Sequence, residues 1–318
     1  MAGFDRRIPF RRAAAGKAVP LGVHAGLWVS GWTPGAARAA VEGSAAAGFD
    51  LIEIPVPDAS PAAGSATPAL TVGLLEDTGL DAVVSLALDP SSDINTTDAA
   101  TSARGERRLL DAVEFAAAIG AGYVGGVTYS AMTKYAHPAT AATRANSLDV
   151  LTRVAAVARE ADVRLGLEYV NRYESNLLNT AAQTVDFLDE LGARGVDNAL
   201  LHIDTYHANS EETSLAAAVH DAGAALGYLH LSESHRGAPG TGSLDWSGLF
   251  GALAAAGYRG PLTVESFSPA VVSAATRDEI GAWRELWSDP VALTHSAVGF
   301  LREQVAASAL LTSTTEGM

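Results

Sequence analysis

"LHIDTYHANSEE" (residues 200–211) opens as a core strand and closes as something else. Leu200, Leu201 and Ile203 are apolar, and then Asp204 and His207 arrive three residues apart. Strands buried on both faces read as near-continuous apolar runs. A carboxylate at the end of such a run, with an imidazole just past it, therefore points to chemistry rather than packing. The stretch decides the fold because its pattern recurs along the chain. A short apolar run is followed by a polar group, and then by a longer Ala-rich segment of helical period.

Upstream, strands are read at "LGVHAGLW" (21–28), "LIEIPV" (51–56), "DAVVSLAL" (81–88), "YVGGVTY" (123–129) and "VRLGLEYV" (163–170). The opening stretch belongs to "ALLHID" (199–204), and "YLHLSE" (228–233) and "PLTVESF" (261–267) follow. Helical periodicity covers 35–49, 105–121, 142–161, 214–226 and 245–257. Thr180 and Gln183 form a capping-box pattern opening another helix. Thr276 to Glu279 repeats it, and the last long helix is read as starting there, carrying Trp283, Trp287 and Phe300 on the outer wall or at a subunit contact.

Strands alternating with helical segments predict a parallel sheet. Eight such units between 20 and 305 suit an α/β protein with a (β/α)8 TIM barrel, for which about 250 residues is typical. A doubly wound open sheet is the competing arrangement. "GTGSLD" (240–245) is no dinucleotide fingerprint, because the third glycine is missing and no helix follows directly. The barrel is expected as a single domain over 20–305, between a flexible basic tail (1–19) and a flexible C-terminal tail (306–318).

Of 318 residues, 21 are Lys or Arg and 36 are Asp or Glu, a net charge of −15. A surface this acidic repels phosphate backbones, so no nucleic acid is expected as partner. No apolar run is long enough to span a bilayer, so no membrane partner is expected. The N-terminus lacks a signal-peptide core, and its paired arginines are a weak twin-arginine lookalike. Cysteine is absent, so disulfides and thiolate metal sites are excluded. A cytoplasmic location is expected, and the Asn95-Thr96-Thr97 sequon is then a chance match.

Barrel chemistry sits at the C-terminal ends of the strands. Strand five ends at Glu168, strand six at Asp204, strand seven at His230 and strand eight at Glu265. Singly, each has an ordinary reading: a surface carboxylate, a salt-bridge partner, a satisfied core histidine. Together they place three carboxylates and one imidazole at one mouth, where the acids would repel unless a cation joined them. The donor set ranks Mn²⁺ first among divalent metals, with Co²⁺ and Mg²⁺ as alternatives and Zn²⁺ below them. Glu174, His207 and Arg236 follow in the βα loops; the ordinary reading of His207 is a helix-capping or surface role and that of Arg236 an ion pair with Glu233. Trp28, Trp32 and Phe267 are candidates for apolar walls, with plain packing as the alternative.

"LEYVNRYESNLLNTAAQTVDFL", "HIDTYHANSEE", "HLSESHRGAPGTGSLDW" and "TVESF" resemble, in order, the D-tagatose 3-epimerase / D-allulose (D-psicose) 3-epimerase family. That family lies within the xylose-isomerase-like TIM barrels. "GVHAGLW" and "GVTYSAMTKYAHPAT" fit it too, so the resemblance runs over roughly 20 to 305. It implies a metal-dependent isomerase that epimerises free ketoses at C3, built as a homodimer or homotetramer. It implies that Glu168, Asp204, His230 and Glu265 bind the metal and that Glu168 and Glu265 are the acid/base pair. It also implies that Glu174, His207 and Arg236 hold the sugar near O1 to O3. The sequence departs from the pattern at Ser232, where a glycine is expected in the "HxGE" motif.

The implied substrates are the D-allulose/D-fructose and D-tagatose/D-sorbose pairs or ketopentoses. The rival within the superfamily is an aldose–ketose or hydroxypyruvate isomerase, which moves a proton between C1 and C2. A sugar-phosphate epimerase would need a phosphate cradle, and "ESFSPAVV" is neither glycine-rich nor basic. A metal-dependent apurinic-site endonuclease conflicts with the charge. An inactive sugar-binding barrel has no need of both Glu168 and Glu265.

Overall fold

The computed structural model describes residues 7–12, 19–57, 64–308 and 310. Its strands are short and almost wholly buried, as expected of apolar runs covered on both faces. They are β1 Leu21–His24, β2 Leu51–Pro55, β3 Asp81–Ser85, β4 Tyr123–Gly125, β5 Arg164–Glu168, β6 Ala199–Asp204, β7 Leu226–Leu231 and β8 Leu262–Val264. They run in sequence order in one closed barrel, and the registered pairs are parallel. This is the (β/α)8 barrel expected from the alternation of runs.

Contacts divide the chain into two compact units. One comprises Val83–Tyr228 with the segment ending at Pro9; the other comprises Phe10–Ala82 and Leu229–Met318. In the first unit, β5 pairs with β6 so that Glu168 lies opposite His202. Beneath them the Tyr123 and Tyr228 rings stack at 4.7 Å, and His202 meets Tyr228 edge-on at 4.8 Å. Gly166 makes room for this cluster: a Cβ there would fall 1.8 Å from the Tyr123 hydroxyl. In the second unit, β1 pairs with β2 so that His24 lies opposite Glu53.

The helices start where short polar side chains can satisfy their first N–H groups. Thr33, Asp98, Thr180, Ser214 and Asp245 each accept from the backbone N–H three residues on, in the first turn of the helix that follows. At Thr180 the acceptor bond comes from Gln183 N–H, while the Gln183 side chain accepts from Asn179 N–H at 2.9 Å.

Three expectations are corrected. The last long helix does not begin at Thr276. A short helix, α9 (Ala274–Ile280), is capped by Ser273 and stopped by Gly281 at φ 67°. The long helix, α10, spans Pro290–Ala307, with Asp289 as cap and Pro290 fixing its first turn. Trp283 and Trp287 therefore lie outside helix, and the Trp287 indole donates to Ser266 Oγ at 2.8 Å. Residues 7–12 are not a loose tail: Ile8 is buried, and the Arg11 and Arg12 N–H groups donate to Asp81 Oδ1 at 2.9 and 2.8 Å. The rest of the expected N-terminal tail, 1–6 and 13–18, lies outside the described residues, as do 309 and 311–318 of the C-terminal one. Ala306 and Ala307 continue α10, and Leu310 is buried.

Among the described residues no helix is long and apolar enough to cross a membrane.

Candidate active site

β6 ends on Asp204, and a short helix, α6 (Thr205–Glu211), begins at once. Asp204 is its N-cap: Oδ1 accepts from Tyr206 N–H at 2.8 Å, and Oδ2 lies 3.6 Å from His207 Nε2. The immediate turn into helix is what brings a residue three positions on back beside the carboxylate. His207 is buried, and its Nδ1 meets Asn171 Nδ2 at 2.8 Å and Asn171 N–H at 3.3 Å. Both partners are donors, so Nδ1 carries the lone pair and Nε2 the proton. That N–H faces Asp204 and, at 3.9 Å, Glu174 Oε2. Asn171 Nδ2 also donates to Glu174 Oε1 at 2.9 Å, which ties Glu174 to the same group.

Glu168, Asp204 and His207 each offer an atom within 4.8 Å of the others, an arrangement able to hold a metal ion. The Asn171 contacts make His207 a hydrogen-bond donor into this group rather than one of its lone-pair donors. His202, paired with Glu168 across β5 and β6, places Nδ1 3.9 Å from Glu168 Oε2 and 3.3 Å from the Tyr123 hydroxyl.

The second unit builds its own polar group. His230, near the end of β7, places Nε2 2.7 Å from Glu53 Oε2 and Nδ1 3.6 Å from Glu265 Oε1. Glu265 follows β8 by one residue and is buried. Arg236 NH1 donates to Glu265 Oε2 and, at 3.0 Å, to Ser232 Oγ. The Ser232 hydroxyl lies 3.2 Å from Glu265 Oε2. Burial pushes the Glu265 carboxyl up, but His230, Arg236 and His24 outweigh it and hold the pKa at about 2. Burial also pulls the His24 pKa down, against the opposing pull of Glu53.

Arg236 reaches this position from a loop organised by Glu233. That buried carboxylate accepts from Ser234 N–H and Gly240 N–H at 2.9 Å and from the Trp246 indole at 3.0 Å. Burial raises the Glu233 pKa, yet these donors bring it below its ordinary value. Gly242 lets the loop pass close to this carboxylate: a Cβ there would fall 2.4 Å from Glu233 Oε1, so the carboxylate would have to shift. The Arg236 backbone takes φ 64°, a conformation disfavoured outside glycine, and its guanidinium lies 5.4 Å from the Phe267 ring centre.

The ion pair of Arg236 with Glu233, its ordinary alternative, is thus replaced by one with Glu265. Phe267 also meets His24 edge-on at 5.6 Å. Trp28 is half-buried with its ring against Gly43 of α1 (Pro34–Ala47), and Trp32 is buried with its indole donating to Thr71 Oγ1 at 3.1 Å, a packing role. Sequence reasoning did not single out Glu53, His24, His202 or Asn171. The available signal was a charged or imidazole residue inside an otherwise apolar strand, as in "LIEIP" and "LLHID".

The donor chemistry suits a divalent metal. Glu168, Asp204 and Glu265 are buried acids at the ends of strands, and buried carboxylates persist when paired or bound to a cation.

Residues 41–289 match the xylose isomerase-like TIM barrel family, which defines the class of the fold and site. Over 288 residues the chain is 40% identical to the L-ribulose 3-epimerase of Methylomonas sp. (strain DH-1), spanning 91% of this chain and 98% of that protein. It is 40% identical over 287 residues to the ketose 3-epimerase of Arthrobacter globiformis, spanning 90% and 97%. The crystal structure of D-allulose 3-epimerase from Methylomonas sp. in complex with D-allulose matches with a TM-score of 0.86 at 39% identity, covering 94% of this chain and 99% of that one. The chain belongs to the ketose 3-epimerase family of these barrels, isomerases that act on free ketoses.

Proposed function

We propose that the protein is a divalent-metal-dependent 3-epimerase of free ketohexoses or ketopentoses. The observation that carries this is the pair of buried carboxylates, Glu168 at the end of β5 and Glu265 just past β8. Epimerisation at C3 needs a proton removed from one face of a carbon and returned to the other. Two acids supplied by different strands meet that need.

Glu168, Asp204, His230 and Glu265 would hold the metal, with Mn²⁺ first and Co²⁺ or Mg²⁺ next. Such a cation would supply Lewis-acid polarisation of the sugar's carbonyl, which would acidify the C3–H. Glu168 takes the C3 proton from one epimer and Glu265 protonates the opposite face of the enediolate; the reverse reaction exchanges their roles. The His207 Nε2–H and the Arg236 guanidinium donate to sugar oxygens and stabilise charge there. Glu174 accepts from a hydroxyl near O1, and Phe267 and Trp28 form apolar walls. Relatives named as L-ribulose 3-epimerase and D-psicose 3-epimerase support the D-allulose/D-fructose and L-ribulose/L-xylulose pairs, and D-tagatose/D-sorbose suits the same chemistry. For the assembly, a homodimer or homotetramer fits Trp283, which is 72% exposed beside the exposed Leu286 and Val291.

Metal-stripped protein incubated in D₂O with D-fructose, D-tagatose or L-ribulose, with and without Mn²⁺, tests the reading by NMR. Metal-dependent deuterium at C3 together with the C3 epimer is expected. Deuterium at C1 with aldose formation would make the protein an aldose–ketose isomerase instead.

A further inference from the structure

Glu53 lies within β2, and only 1% of it is exposed. A carboxylate buried in a strand is costly unless its oxygens are satisfied. Here two imidazoles surround it. His230 Nε2 stands 2.7 Å from Oε2, and His24 Nε2 stands 3.9 Å from Oε1. The orientation of His24 is fixed from behind, because its Nδ1 accepts from Gly26 N–H at 3.0 Å. Its proton therefore sits on Nε2, on the side of Glu53.

The same logic applies to His230. An ionised carboxylate only accepts, so the short contact to Glu53 assigns the His230 proton to Nε2. The remaining nitrogen, Nδ1, then presents its lone pair on the side where Glu265 Oε1 stands at 3.6 Å. A lone pair turned toward a carboxylate is repulsive unless something positive joins them.

We propose that Glu53 is a positioning residue that fixes the tautomer and angle of His230, so that Nδ1 is the nitrogen that serves the metal. The His24 Nε2–H faces the second carboxylate oxygen across 3.9 Å. The inference deepens the metal-dependent reading above and rests on it. Carboxylates in this position behind a metal-binding histidine are worth about 10–100-fold in metal affinity.

The test is Mn²⁺ affinity of the metal-stripped protein, read from the free-ion EPR signal, in wild type, Glu53→Gln and Glu53→Ala. Wild type should bind. Glu53→Ala should bind about 100-fold more weakly and Glu53→Gln about tenfold more weakly, since the amide oxygen still accepts from Nε2. Metal-free melting temperatures of the variants check that the fold is kept. Wild-type affinity in both variants would overturn the inference while leaving the epimerase reading intact. Absence of Mn²⁺ binding by wild type would overturn both. Wild-type crystals soaked in Mn²⁺ give a second measurement that does not depend on any variant folding. An anomalous peak on the Nδ1 side of His230 is expected, and a peak on the Nε2 side would overturn the assignment.

Discussion

Glu168 ends β5 and Glu265 directly follows β8, yet their surroundings differ. Glu168 is met by the His202 imidazole at 3.9 Å, and that ring leans on Tyr123 and Tyr228. Glu265 is gripped by the Arg236 guanidinium, approached by the Ser232 hydroxyl and faced by His230. The Glu265 surroundings fix an anion in one position. Those of Glu168 are a ring cluster of His202, Tyr123 and Tyr228. On the proposed mechanism, two chemically identical groups serve the two faces of one carbon under unequal electrostatic control, much as environment sets apart paired carboxylates in other enzymes.

The harshest way to break this comparison is to remove what the two acids share. EDTA treatment should abolish epimerisation, and added Mn²⁺ should restore it, as followed by chromatography of the sugars. Next come the acids themselves. Glu168→Gln and Glu265→Gln should each lower kcat by about 10²–10⁴-fold. Arg236→Ala sharpens the contrast from one side only. It removes a charged hydrogen-bond donor from Glu265, so kcat/KM should fall about 10–100-fold while Mn²⁺ binding changes little.

Stability should report the same asymmetry. The Glu265 pKa is depressed from 4.5 to about 2, so its contribution to folding is present above the ordinary value. It is lost as pH falls through that window. Urea denaturation at pH 7 and pH 3 should show a smaller acid-induced loss in Glu265→Gln than in wild type. The smallest effect is expected from Ser232→Gly, which deletes one neutral hydroxyl near Glu265. Steady-state kinetics should show about a two- to tenfold decrease in kcat/KM.

The barrel and the ends of β5 to β8 were legible in the sequence because a polar residue stands out at the end of an apolar run. Asp204 and His207 were the clearest case, since both are read within one short stretch. Glu53 escaped because it lies within β2, and His24 because its strand was read on to Trp28 although β1 ends at His24; their partner His230 lies far away in the chain. No local pattern marks such a pair. The Arg11 and Arg12 amides meeting Asp81 are hidden for the same reason. The start of α10 was written locally, in Asp289 and Pro290, but the capping pattern at Thr276 competed with it and a continuous helix was inferred. Ser232 stood out only as a departure from the family pattern, and its contact with Glu265 required the β7–β8 pairing to be known.

The central claim is that Glu168 and Glu265 work on opposite faces of C3. Deuterium exchange by Mn²⁺-loaded Glu265→Gln, offered each epimer of a turned-over pair separately in D₂O, tests it most directly. Glu168 remains in that variant, so one epimer should exchange its C3 proton for deuterium without inverting, while the other stays unlabelled. Exchange into both epimers, or inversion at the wild-type rate, would contradict the two-face assignment.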